Sequence, residues 1–514
     1  MNRMRLLQAA MIAFMLYGCA SIPRDATRNI SSAYAHPEET PLGRTFSVDA
    51  AKHPGQSGFY LINQGVDGLL ARLELARKAQ RTLDLQYYLF RGDDSGLLLA
   101  HALLEAADRG VRVRILVDDG DTEAEDDRWK ILAVHPNISI RIFDPFSYRG
   151  HSEALRALEF AFDKSRLDYR MHNKLFVSDN AIALIGGRNI GDAYFQISTQ
   201  SQFGDDDLFT VGPMVRRLSG TFDDFWNSPL AVPVEELILK KPGGNALARL
   251  RRKPDAQDAP PEVQGAEESV RKLVSGKIPL IWAPARLIYD SPEKRLVEQG
   301  KQPGHLIRRE VYRDLHSVRH ELLMVSPFFV PGKDGMAMLR SLRKRNVEVC
   351  ILTNSLNSTH VLSAQSGYMH YRIPLLESGV HLFEIKRDLG NPGGSGESLS
   401  LARYGAYGLH GKMWVFDRKR VYIGSMNFDQ RSEHLNTEIG LVIDSPELAE
   451  EVVRRFEELT RPENAYQLVL RDGKLLWQTR REGKIVDYET EPSASRWKKF
   501  EVDMLSHLHF DGEL

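Results

Sequence analysis

Cysteine is nearly missing from this 514-residue chain, which has only Cys19 and Cys350. No C-x-x-C or H-E-x-x-H spacing accompanies them, so a structural zinc site and a disulfide framework are both disfavoured. Cys350, within the apolar stretch Val347–Thr353, reads as a small core residue. An excess of either charge is missing as well. The 68 Lys and Arg against 69 Asp and Glu give a formal net charge of −1, which leaves no bulk basic field to hold nucleic acid. The apolar run from Leu6 to Tyr17 makes about 18 Å of helix, too short for a hydrocarbon core of about 30 Å. What is present is a globular composition, 42 % hydrophobic and 27 % charged, with length for two or three domains.

The informative feature is a sentence said twice. Met171 to Asn189 reads M-H-N-K-L-F-V-S-D-N-A-I-A-L-I-G-G-R-N, and Leu409 to Asn427 reads L-H-G-K-M-W-V-F-D-R-K-R-V-Y-I-G-S-M-N. His172 to His410, Lys174 to Lys412, Asp179 to Asp417, Gly186 to Gly424 and Asn189 to Asn427 each span 238 residues. His and Lys two apart in an apolar strand project from one face. The aspartate ends that strand, a turn follows, and a second strand closes in Gly186-Gly187 or Gly424-Ser425, where backbone N–H groups can approach an anion. An imidazole attacks phosphorus or moves a proton near neutral pH. A lysine beside it and an asparagine amide neutralise phosphate oxygens. One copy makes half a site; two copies facing each other make a phosphate cage with two histidines. Five shared spacings are hard to reach by accident. The catalytic set is therefore His172, Lys174, Asp179, His410, Lys412 and Asp417, the two aspartates bracing their turns. Asn189, Asn427, Gly187 and Ser425 serve the phosphate, and Asp207 and Glu438, at similar places after each motif, orient the histidines.

At these residues the chain resembles the phospholipase D superfamily, whose H-x-K-x4-D…G-[GS]-x-N signature it carries in full twice, and within it the bacterial cardiolipin synthases of the C type. Leu83-Asp84-Leu85-Gln86-Tyr87-Tyr88, Trp282-Ala283-Pro284-Ala285 and Asn427-Phe428-Asp429-Gln430-Arg431-Ser432-Glu433-His434 carry the closer likeness. The resemblance implies a covalent phosphohistidine, formed on His172 by preference, and phosphatidyl transfer between phospholipids: phosphatidylglycerol, with phosphatidylethanolamine as a further candidate. It implies no cofactor and no metal. Its alternatives are hydrolysis, as in a phospholipase D, and a secreted nuclease using the same cage. His360 and Gln365 stand where the family pattern has an acidic residue and a histidine.

In chain order, residues 1–18 read as a signal peptide, with Leu16-Tyr17-Gly18-Cys19 resembling a lipoprotein processing site. Lipidation of Cys19 is expected to anchor the protein to a bacterial membrane on its periplasmic side, the outer membrane by the Ala20 that follows. Residues 19–56, polar and with four prolines, read as a tether. Residues 57–235 and 278–470 form two catalytic halves joined by a linker at 236–277, and 471–514 is an extension. Strands alternate with helices in the same order in both halves. The fold class is α/β, two pseudo-symmetric halves, each a mixed β-sheet flanked by helices, with one active site shared between them. The Gly- and Ser-rich Gly390–Leu399 reads as a rim loop, and the polar ending His507-Leu508-His509 argues against a membrane-docking tail.

Overall fold

Two mixed sheets with one plan carry the molecule. A computed structural model describes residues 29–120, 126–150, 152–238, 242–251, 261–389, 406–481 and 483–506. Cys19, the signal peptide, the rim loop at 390–399 and the ending at 507–511 lie outside them.

The first sheet runs Ile281–Ala283, Ser57–Ile62, Asp207–Val211, Ile182–Gly186, Leu175–Ser178, Thr82–Tyr87, Arg112–Asp118, Ile138–Phe143 and Ala231–Pro233. The second runs Ala285–Tyr289, Ile439–Asp444, Arg420–Gly424, Met413–Phe416, Glu321–Val325, Glu348–Asn354, His381–Ile385 and Ala465–Arg471, then Lys474–Arg481 and Lys484–Tyr488. In each, three parallel strands adjoin an antiparallel hairpin that carries the His-x-Lys motif. The duplication read from the motifs thus extends to eight strands of each sheet, with Ile281–Ala283 added to the first and Lys474–Arg481 and Lys484–Tyr488 to the second.

The sheets are fused rather than tethered. One buried apolar cluster takes Phe222 and Trp226 from the Pro213–Asn227 helix and Val452 and Phe456 from the Pro446–Thr460 helix, with Ile185 and Ile423 beneath them. Burying this many large side chains at about 25 cal/mol per Å² makes the two halves one folding unit. The Trp282-Ala283-Pro284-Ala285 phrase is the crossover. Ala283 pairs with Ser57 in the first sheet, and Ala285 pairs with Ile443 in the second. Proline between them donates nothing to either ladder.

Three boundaries differ from the sequence reading. Residues 29–56, read as tether, are folded onto the first half: Leu42 and Phe46 are buried in its core, and Ala33 N–H and Ser31 N–H donate to Asp223 and Asn227. Within the linker, Pro261–Val274 is a helix whose Val270, Leu273 and Val274 enter the same core. Its alternating charges are i,i+4 pairs, Glu267–Arg271 and Glu268–Lys272. The extension begins inside the second sheet, since Ala465–Arg471 and Lys474–Arg481 are one antiparallel hairpin.

Candidate active site

Each histidine stands at the mouth of its hairpin, and the motif aspartate stands at the other end. Asp179 and Asn180 have φ of 53° and 51°, and Asp417 and Arg418 have 54° and 52°. Two successive left-handed residues make the turn type that matches hairpin twist. Asp179 accepts from the N–H groups of Gln80, Arg81 and Thr82, and Asp417 from those of Arg319, His320 and Glu321. Each aspartate follows its histidine by seven positions, four of them strand, and so stands at the opposite end of the strand. There they brace the turn, the role expected of the two motif aspartates, away from the histidines.

The histidines are clamped across the pseudo-twofold. His172 N–H donates to Thr437 O at 2.9 Å, and its Nδ1 lies 2.9 Å from Oε2 of Glu438. His410 N–H donates to Gly204 O at 2.8 Å, and its Nδ1 lies 2.6 Å from Oδ2 of Asp205. Each half therefore supplies one imidazole and the carboxylate that orients the other imidazole. With Nδ1–H held by a carboxylate, Nε2 is left as the free, basic nitrogen.

The partner of His410 is Asp205, not Asp207. Gly186 pairs with Asp207 in the first sheet and Gly424 with Gly440 in the second. Asp207 thus corresponds to Gly440, and Asp205, two residues earlier, to Glu438. Asp207 instead bonds Arg72 at 2.7 Å and lies 3.2 Å from Arg188, whose other nitrogen donates to Asp205 O. It braces the acid rather than the base. The Asp205-Asp206-Asp207 run was the available signal, and strand register was needed to choose among its members.

Lys174 and Lys412 each donate to the carbonyl of the histidine two residues before it. Burial, and after it the Lys412 ammonium, pushes Lys174 well below its usual range, and burial lowers Lys412 to about 8. Burial, with Lys174, Lys412 and Arg431 close by, holds His172 well below a free imidazole. Burial and Lys412 lower His410 to about 3, against the pull of Asp205. The two carboxylates diverge. Burial opposes ionisation of Asp205, but His410, Lys412 and Arg188 outweigh it and bring it down to about 2. Burial raises Glu438 to about 7, with Lys174 offsetting only part. The crossed carboxylates hold both rings at the seam between the halves, where His172 is 8 % exposed and His410 4 %.

Asn189 and Asn427, both buried, complete the walls: Asn189 accepts from Leu89 N–H, and Asn427 Oδ1 has no donor among the described residues. Gly187 lies against Asp205, and Ser425 Oγ donates to Glu438. Tyr88 meets His172 edge-on at 5.2 Å, and Tyr194 meets His410 at 5.0 Å. Neither tyrosine was singled out by the motif, since both come from loops between elements. The exposed His360 meets Phe203 at a tilt, 4.8 Å between ring centres, and Phe203 contacts His410, so this departure from the family pattern lies on the rim.

Paired imidazoles, each fixed by a carboxylate and backed by a lysine, on two fused copies of one sheet define an enzyme of the phospholipase D type. The chain belongs to the family described as cardiolipin synthase, PLD-like domain, which matches residues 73–226 and 311–460. It is 39 % identical over 474 residues to cardiolipin synthase C of Escherichia coli, covering 89 % of this chain and 96 % of that one. Cardiolipin synthase of Geobacillus thermodenitrificans is 23 % identical over 407 residues, 77 % of this chain and 65 % of that one. Phosphatidylserine synthase of Haemophilus influenzae shares the fold, with TM-score 0.54 at 12 % identity over 92 % of this chain and 100 % of that one.

Proposed function

We propose that this protein is a phosphatidyltransferase of the cardiolipin synthase kind, moving a phosphatidyl group between phospholipids through a phosphohistidine. The observation that carries the reading is the crossed clamp, His172 on Glu438 and His410 on Asp205. It presents two Nε2 atoms to one phosphodiester, as in-line displacement requires. The likeness to cardiolipin synthase C of E. coli supports lipid over nucleic acid.

His172 is the nucleophile. Its neutral form is favoured by burial and three cations, and its partner Glu438 sits near neutrality. Burial and Lys412 favour the neutral form of His410 as well. The Asp205 carboxylate, held below its usual range, is what lets an arriving phosphate anion tip His410 toward the imidazolium. In the first step Nε2 of His172 bonds to phosphorus while the P–O bond to the headgroup alcohol breaks, and that oxygen takes its proton from His410. In the second, the acceptor hydroxyl gives its proton to His410 and attacks phosphorus as the P–N bond breaks. Lys174, Lys412, Asn189 and Asn427 hold the non-bridging oxygens throughout. Phosphatidylglycerol fits as donor and acceptor, with phosphatidylethanolamine a second donor. Anchoring through a lipidated Cys19, on the periplasmic face of the outer membrane, belongs to the same proposal and keeps the enzyme beside its substrate.

The test supplies radiolabelled phosphatidylglycerol, with and without phosphatidylethanolamine, and separately plasmid DNA. Cardiolipin formation abolished in His172→Ala and His410→Ala is expected, with acid-labile label trapped on the His410→Ala protein and absent from His172→Ala. Nicked DNA with unchanged lipid overturns the reading.

A further inference from the structure

The helix Glu153–Phe162 is built inside out. Its charged side faces the protein: Arg156 donates to Asp119 O, and Glu159 accepts from the N–H groups of Ser147 and Tyr148. Ala154, Ala157, Leu158, Ala161 and Phe162 recur at i, i+3, i+4, i+7 and i+8, and all are exposed, Phe162 by 73 %. A helix of a water-facing surface has the reverse polarity. A second helix, Arg496–Ser506, buries Val502 but exposes Trp497 by 71 %, Phe500 by 58 % and Met504, again at i, i+3 and i+7. Lys498 and Lys499 flank that stripe.

Both helices border the active site, one on each side of the pseudo-twofold. Arg156 lies 4.1 Å above the Phe146 ring, which also contacts Arg170, two residues before His172. On the other side Lys498 donates to Thr359 O at 3.1 Å, beside His360, whose ring leads through Phe203 to His410. Packing the two apolar faces against water costs free energy that a hydrocarbon surface recovers. Ammonium groups next to aromatic side chains fit phosphate headgroups above acyl chains.

We propose that these two helices are the membrane-facing rim of the enzyme, inserting their apolar stripes into a leaflet that contains anionic phospholipid; for the tail helix this reverses the expectation drawn from the polar residues beyond it. This rests on, and deepens, the reading of the site as one for phospholipids: the rim lowers the mouth onto the bilayer, so that a headgroup reaches the histidines without its lipid leaving the leaflet.

The surface is tested apart from turnover. The full-length protein is added to phosphatidylcholine–phosphatidylserine vesicles carrying doxyl-labelled lipid, and Trp497 emission is taken as the difference from Trp497→Phe. Quenching that disappears when phosphatidylserine is omitted is expected; emission unchanged by the doxyl group overturns the proposal. In a second arm, Leu158→Asp/Phe162→Asp and Phe500→Asp/Met504→Asp are compared on bilayer substrate and on a short-chain phospholipid below its micellar concentration. Loss of at least about tenfold on the bilayer with the monomer rate unchanged is expected. Equal rates on both, or a dimer in sedimentation velocity that the same substitutions dissociate, assign the faces elsewhere and overturn it. If no lipid is converted by any form, the transferase reading fails while the quenching still decides the rim.

Discussion

The two halves share eight strands in the same order, yet they hold their carboxylates differently. In the first half Asp205 is short, and its oxygen occupies the space a side chain at Gly187 would need: a Cβ there would lie 2.3 Å from Oδ1. Arg188 and Asp207 back it from behind. In the second half Glu438 is one methylene longer, Ser425 replaces the second glycine and donates to it, and its own N–H donates to Asp290, itself paired with Lys294. The Gly-Gly against Gly-Ser difference in the motif is thus a consequence of acid length. One half makes a tight, ionised clamp; the other makes a looser one poised to gain a proton. A duplicated site has become asymmetric through its carboxylates, which suits two histidines with opposite duties.

The comparison breaks first at Asp205. Asp205→Asn removes the charge that favours the imidazolium of His410 and loosens its tautomer, so kcat is expected to fall by about 10³-fold or more with KM little changed. Steady-state kinetics measures it, and a loss of only a few-fold would equate the two clamps. Glu438→Gln keeps an acceptor for Nδ1–H of His172 and should cost less, about 10–100-fold. It carries a signed pH test. The folded pKa of Glu438 is raised to about 7, so between about 4.5 and 7 the native state binds more protons than the unfolded chain, and wild-type stability falls as pH rises. Relative to Glu438→Gln, denaturant unfolding should therefore show wild type losing stability between pH 5 and pH 8, by about 1–3 kcal/mol. Gly187→Ser, which gives the first half the second half's motif, forces Asp205 off His410; a loss of about tenfold is expected in kcat, since one clamp is displaced rather than deleted.

How much of this could be read in advance depended on whether the signal was local. The hairpins and their turns share one spacing, and the structure keeps both, although each His-x-Lys sits just before its strand rather than on it. The choice of Asp207 failed because the connection from Gly186 to its paired Asp207 is five residues longer than that from Gly424 to Gly440, and only strand pairing shows where the surplus lies. The tether reading failed for a related reason. Segment 29–56 has no periodicity of its own, and what holds it, Asp223, Asn227 and Arg114, comes from distant elements. The helix within the linker went unread because the i,i+4 pairing of its charges counts only once a helix is assumed. The inverted helix Glu153–Phe162 was invisible because periodicity names an apolar face but not the direction it points.

The motif aspartates give the smallest and most symmetric effect. Asp179 and Asp417 close equivalent turns with the same three amide donors, the shortest 2.7 Å in each. They differ in surroundings: Asp179 is wholly buried, while Asp417 is partly open to solvent. A hydrogen bond to a buried charge contributes more, so Asp179→Asn should destabilise by about 1–3 kcal/mol, and Asp417→Asn should lower Tm by less than about 2 °C. Neither should change kcat beyond what lost fold explains, because both lie at the far end of the strand from the histidines. The pH dependence separates a charge effect from a packing one. Burial acts to raise Asp417, but its three amide donors outweigh it and the net shift is downward. Its contribution is therefore present above the unfolded carboxyl range and lost as pH falls through the lower folded value. Thermal scans should show a wild-type advantage over Asp417→Asn that is flat from pH 5 to 8 and shrinks below about pH 4; an advantage that persists in acid would mean the side chain acts by shape, and that the second turn is held differently from the first.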